Sequence, residues 1–396
     1  MNAPVPGPFR LHVADDVLRD LRERLARVRW PDEPPLDPWS TGSSLVYMKE
    51  LIAWWRDGFD WRAQEAALNR FSHFKVPLAG IDLHFIHEQG RGPDPMPLLL
   101  AHGWPGSVVE FHRLLPMLTD PARFGADPAD AFTVVAPSLP GYTLSFAPGQ
   151  QRFGVNEIAE AFASLMTDVL GYPRFGAQGG DWGASVASRI GWAFADRLIG
   201  IHLNFLAAVR RDPNTIVDPT PEEKVYLEQL AHWLKEETGY QWIQGTRPTT
   251  LAYGLTDSPA GLAARIVEKF HAWTDNDGSV ESAIGRDEML ANITLYWVTG
   301  AIGSSFWPYY ARLHEPWLLP KGERIEVPTG YAAFPREILR PPRSVAERSY
   351  ADIRRWTTMD RGGHFAALEQ PEALAHEIRE FFRPLRQQAR PVTGQA

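Results

Sequence analysis

The first seventy residues carry their apolar side chains at helical spacing. Val17, Leu18, Leu21, Leu25 and Val28 recur along one face, with Asp15 or Asp16 available as a cap, and Pro31, Pro34 and Pro35 end the run. A turn-rich stretch at 37–44 leads to a second face built from Leu45, Met48, Leu51, Ile52 and Trp55, and a shorter helix is expected over 61–71. No strand pattern precedes them. Residues 1–72 therefore read as a helical meander wrapped over a main domain.

From residue 74 the pattern changes to short apolar runs separated by helical ones. Strands are predicted at 74–78, 81–87, 97–101, 132–136, 175–179, 199–205, 325–331 and 356–360, with helices around 108–118, 158–170, 184–194 and 374–382. The first two strands, joined by Ala79-Gly80, form a hairpin. The later ones are continuously apolar and alternate with helices, which indicates an α/β fold on a mostly parallel, eight-stranded sheet. The alternation stops at 207–319, a helical, aromatic-rich insertion between two parts of the core, 73–206 and 320–386. An insertion there overhangs the carboxyl ends of the strands, where open sheets bind ligands, and reads as a lid. Residues 387–396 read as a flexible tail.

Composition narrows the chemistry. A formal net charge of −8 over 396 residues, without a basic block, argues against nucleic acid and anionic membrane surfaces as partners. Cysteine is absent, which removes disulfides, thiolate catalysis and zinc-thiolate sites. The start of the chain lacks a secretory pattern, and no run approaches the roughly 18 apolar residues of a membrane span, so a cytoplasmic location is expected. Fifteen tryptophans, several beside the motifs below, suggest an aromatic, apolar pocket.

The most informative motif is Gly179-Gly180-Asp181-Trp182-Gly183, where a strand runs directly into a helix. This is the outline of a nucleophile elbow with aspartate in place of serine. A carboxylate is already ionised at neutral pH and can displace a leaving group from saturated carbon, forming an alkyl ester on the enzyme. The bland alternative is a Gly-rich turn whose aspartate caps a helix. His364, after the last strand, stands where a general base would activate water against such an ester. Glu337, after the preceding strand, could hold the other ring nitrogen; Asp360 competes with it but lies on the same strand end as His364. His102-Gly103-Trp104-Pro105 ends the third predicted strand, and the backbone N–H groups of Trp104 and Trp182 could form an oxyanion hole. His84 and His87 face opposite sides of one strand with no third ligand nearby, so no metal is assigned.

Together, His-Gly-Trp-Pro, Gly-Gly-Asp-Trp-Gly, Pro-Thr-Gly-Tyr-Ala-Ala-Phe-Pro-Arg-Glu and Arg-Gly-Gly-His-Phe-Ala-Ala resemble the microsomal-type epoxide hydrolase family over nearly the whole chain. The resemblance implies an α/β-hydrolase fold, no cofactor, an epoxide and water as substrates, and two lid tyrosines that protonate the epoxide oxygen. Tyr240 matches the first. Tyr309 matches the second, with Tyr310 one residue away as a competitor and a further candidate, beside Trp104 and Trp182, for contact with substrate. The anchor helix of the membrane-bound members has no counterpart here, which implies a soluble enzyme, and a homodimer is compatible with this reading. The nearest alternative is a haloalkane or haloacid-type dehalogenase, which uses the same aspartyl ester but expels a leaving group that needs no proton.

Overall fold

The computed structural model describes residues 4–210 and 212–388. Nine strands form one sheet: β1 (Gly7–Phe9), β2 (His73–Leu78), β3 (Ile81–Glu88), β4 (Met96–Ala101), β5 (Phe132–Pro137), β6 (Phe175–Gly179), β7 (Leu198–Leu203), β8 (Thr329–Ala333) and β9 (Ile353–Thr358). Their order is β1-β2-β3-β5-β4-β6-β7-β8-β9. The pairings β1–β2, β2–β3 and β3–β5 are antiparallel, and the rest are parallel.

The sheet has one strand more than its sequence pattern predicts. β1 is three residues long and includes Pro8, too short to show alternation, yet it pairs with β2 at the sheet edge. The eighth strand starts at Thr329 rather than at 325, because Pro328 has no N–H to donate; upstream of it, Ile325 makes only an isolated bridge to Tyr350. β9 lies a few residues earlier than expected.

The parallel strands inside the edge strand β9 are buried on both faces. Gly191 of helix Asp181–Ala193 packs against Ile201 on one face, whereas Gly200 meets Phe381 of helix Pro371–Gln388 on the other. Successive residues of β7 thus contact helices on opposite sides, as the period of two requires.

Among the described residues, six helices of eight or more residues lie between β7 and β8, from Pro221–Glu236 to Trp307–His314. The N-terminal helices Asp15–Leu25 and Leu45–Asp57 clasp this insertion. Trp55 Nε1–H donates to Thr294 Oγ1 (2.9 Å), Tyr47 O–H to Glu281 Oε1 (3.1 Å), and Ser43 O–H to the Ala264 carbonyl (2.7 Å). Asp15 and Asp16 sit in the first turn rather than at the cap, which is Ala14; there they act on the helix dipole. Of the expected tail 387–396, Gln387 and Gln388 continue the last helix and the remainder lies outside the described residues.

Candidate active site

β4 and β6 are neighbours in the sheet, with Ala101 paired to Gly179. The two loops that follow therefore leave the sheet side by side. On β6, Asp181 begins the next helix with φ +47°, a strained angle for a residue with a side chain. The turn closes only because its neighbours lack Cβ atoms. A Cβ on Gly179 would stand 2.3 Å from the Gly183 carbonyl, and one on Gly183 would stand 1.9 Å from the Ala101 oxygen. The helix begins at Asp181 itself, three residues earlier than its apolar pattern suggests.

On the β4 side, the Trp104 N–H donates to Asp181 Oδ1 at 2.8 Å, and the Trp104–Pro105 bond is cis. Among the described residues no bond joins the Trp182 N–H to this carboxylate. The second carboxylate oxygen, Oδ2, lies 3.4 Å from His364 Nε2.

β8 and β9 deliver the remaining pair. Arg336 and Gly363 form an isolated parallel bridge beyond the strand ends, which zips the two loops together. Glu337 Oε1 then accepts a 2.6 Å hydrogen bond from His364 Nδ1–H, with both side chains buried. Asp360 makes no such contact. Burial alone would pull the His364 imidazole down, but the charges of Glu337 and Asp181 and their hydrogen bonds outweigh it, and the ring is pushed up to about 10. The backbone of His364 is fixed in turn, since its N–H donates to the Trp273 carbonyl of the insertion.

The insertion closes the site with aromatic rings. Tyr240 stacks on Trp104 with centroids 5.7 Å apart, and Tyr309 meets Trp104, Trp182 and Tyr240 edge-on at 5.8, 4.8 and 5.7 Å. The Tyr240 hydroxyl accepts a hydrogen bond from Gln241 Nε2 at 2.8 Å. The Tyr309 hydroxyl is fully buried and raised well above the usual phenol range, first by burial and then by Tyr240 and Asp181. Tyr310 does not join them. One residue along the helix turns its ring about 100° away, where it stacks on Trp307 and His314 at 4.7 and 3.9 Å. The expectation that Tyr310 lines the site is corrected accordingly.

Asp181 lines two small clefts. One is also lined by Tyr240, Tyr309, Trp182, Gln241 and Ser185. The other is lined by His364, Glu110, Gln178 and Asn204. Glu110 has no counterpart among the residues singled out from sequence. Burial pushes its carboxyl up to about 8, with Asp181 adding to the rise and His364 opposing it. Its sequence context, Val109-Glu110-Phe111, reads only as part of a helical turn.

Comparison with known proteins decides between the chemistries open to this arrangement. Residues 6–111 match the family model described as the epoxide hydrolase N terminus, and residues 96–197 match the alpha/beta hydrolase fold. Epoxide hydrolase 1 of Sus scrofa is 38% identical over 409 residues, spanning 96% of this chain and 89% of its own. The chain belongs to the microsomal-type epoxide hydrolase family. A provisionally named epoxide hydrolase from Stigmatella aurantiaca is 45% identical over 380 residues, 96% of this chain and 85% of that one. The solved juvenile hormone epoxide hydrolase of the silkworm Bombyx mori superposes with a TM-score of 0.86 at 30% identity, covering 98% and 96% of the two chains. These relatives lend the dehalogenase alternative no support. This epoxide hydrolase thus takes an epoxide and water as its substrates. Among its described residues, no helix is long and apolar enough to cross a membrane.

Proposed function

We propose that the enzyme opens an apolar epoxide in two steps, through an ester on Asp181, and releases a vicinal diol. The observation that carries this reading is that Asp181 lines both the cleft of the tyrosine pair and that of His364, whose ring Glu337 holds. In the first step Asp181 Oδ2 attacks a ring carbon. The ring C–O bond breaks, and the oxygen takes a proton from Tyr240 or Tyr309, leaving a phenolate. The helical insertion acts as a lid that holds both phenols over the nucleophile.

Charge then drives the second step. While Asp181 is an anion, His364 is held protonated between two carboxylates. Esterification removes one of them, so the imidazolium becomes more acidic and returns a proton to the phenolate. Neutral His364 now accepts a proton from water on the far side of Asp181, with Glu337 fixing the ring. The resulting hydroxide attacks the ester carbonyl, whose developing charge the Trp104 N–H is positioned to hold. The acyl C–O bond then breaks, the diol oxygen takes the proton held by His364, and the new Asp181 carboxyl gives its proton back to His364. Glu110, held neutral near pH 7, supplies an O–H donor to the same cavity. Trp104 and Trp182 offer flat apolar walls to the substrate.

Single-turnover hydrolysis in heavy-oxygen water tests the route. The ester path puts the label into Asp181 and leaves the first diol unlabelled. A diol labelled at once, with Asp181 unlabelled, would mean direct attack by water and would rule the scheme out.

A further inference from the structure

Behind the tyrosine pair lies a charge that neither step uses. Arg265 comes from helix Pro259–Trp273. Its guanidinium carbon is 5.8 Å from the Trp104 ring centre and 5.9 Å from that of Tyr240. One Nη2–H donates to the neutral Gln244 Oε1 at 2.7 Å, and Nε is buried without a partner. Among the described residues, no carboxylate forms an ion pair with this guanidinium. The neighbouring Lys269 differs. Its Nζ lies 4.5 Å from the Tyr240 ring centre, but Glu268 neutralises it at 2.8 Å.

A partly buried cation without an ion-pair partner is unfavourable unless an anion forms beside it. Burial accordingly pulls Arg265 below the usual guanidinium range, while Glu268, Tyr309 and Tyr240 push it back up. On the ester route, the anion that forms beside it is the phenolate left when the epoxide oxygen takes its proton. Burial makes that phenolate hard to form at Tyr309, so a nearby fixed cation has something to offset.

We propose that Arg265 is the counter-charge for epoxide opening. It stabilises the negative charge that passes from the epoxide oxygen to Tyr240 and Tyr309, and so extends the enzyme's range to epoxides that expel a strongly basic alkoxide. Arg265 does not touch the reacting atoms; it acts through the two phenols. The inference rests on the ester route. Bond making and breaking are those of the first step, and the charge stays on the phenolate until His364 returns a proton.

The test separates formation of the Asp181 ester from its hydrolysis, by rapid quench and intact-mass measurement in single turnovers. The substrates are a straight-chain terminal epoxide and its trifluoromethyl-substituted counterpart, whose alkoxide is far less basic. Arg265→Met should slow ester formation about ten- to thirtyfold with the straight-chain epoxide. It should slow the fluorinated epoxide markedly less and leave ester hydrolysis within about twofold. Arg265→Lys should recover most of the loss, which a purely structural role for the guanidinium would not allow. Arg265→Gln gives the same reading where the Met variant does not fold. Equal slowing of both steps or of both epoxides, unchanged ester formation, or a Lys variant no better than Met would each overturn the proposal. A wild-type chain that forms no ester with either epoxide would instead overturn the ester route, and this inference with it.

Discussion

On the proposed ester route, the Asp181 carboxylate is both the nucleophile and the switch for its own base. Its charge holds His364 protonated, and its conversion to an ester lowers that hold. Glu337 is the carboxylate that remains, so its loss should show in the second step alone. Glu337→Gln is expected to slow ester hydrolysis by about 10²- to 10⁴-fold while ester formation changes only a few-fold, so that the adduct builds up in a quenched, mass-resolved time course. Equal losses in both steps would mean that Glu337 only supports the fold of the loop. The two tyrosines at 309 and 310 offer a sharper contrast, because they are adjacent in sequence but meet different neighbours. Tyr309→Phe should slow ester formation by roughly 10²-fold, the usual range for a lost general acid. Tyr310→Phe, which leaves the stack on Trp307 and His314 in place, should stay within about twofold. A reversed order would move the acid by one residue. Sequence alone could not separate them, since the choice depends on how the helix is rotated against Trp104 and Trp182.

The elbow shows which elements declare themselves in a sequence. A strand followed by Gly-Gly-Asp-Trp-Gly and a helix has few physical solutions, because Asp181 at positive φ requires small neighbours at both contacts. Gly183→Ala should therefore cost both stability and activity, as its new Cβ would press into the Ala101 carbonyl. Gly254 is a matched control. It lies inside helix Pro248–Asp257 with nothing within 4 Å of an added Cβ, so Gly254→Ala should raise stability by about 0.5–1 kcal/mol through backbone entropy. Thermal unfolding and turnover of the two variants check both statements; a Gly183→Ala chain with wild-type melting would remove the packing argument for the turn. Other elements were less legible for equally physical reasons. β1 is too short for a period, and the start of β8 is set by a missing proline N–H. Glu110 gives no local signal, because its burial comes from residues brought in by β6, β7 and the His364 loop.

At the scale of the whole molecule, the N-terminal helices are legible in the sequence, but neither the strand β1 before them nor what they hold is. The N-terminal helices reach over the insertion, and a buried histidine relay ties their end to the sheet. Its direction follows from the acceptors. His73 Nε2–H must donate to the Leu68 carbonyl (2.9 Å), which leaves His73 Nδ1 to accept from His84 Nε2–H (2.8 Å) and His84 Nδ1 to accept from the Ser138 hydroxyl (2.9 Å). Both rings are neutral in this arrangement, since burial opposes a charged imidazole. Burial lowers both imidazoles, and it lowers the buried His102 and His202 to about 4. For a base with a depressed folded pKa, the unfolded chain binds the extra proton first. Stability from these four groups is therefore full above the unfolded value near ~6.5 and is lost as pH falls below it, by at most about 1.4 kcal/mol per group per pH unit. Glu110 and Glu369 act in the opposite sense. Burial raises them to about 8 and about 7, so they favour the folded state increasingly as pH falls toward the ordinary carboxylate value. His87 and His271 are lowered by burial as well, and Glu237 is raised by it, so six losses against three gains leave a net loss of stability between about pH 6 and 4.5. Denaturant midpoints measured from pH 7.5 to 5 should fall below about pH 6.5 in the wild-type chain. Replacing His73 and His84 together with Gln should make that fall shallower, because neither Gln titrates. A double variant with an unchanged slope would mean that the relay contributes nothing to acid sensitivity.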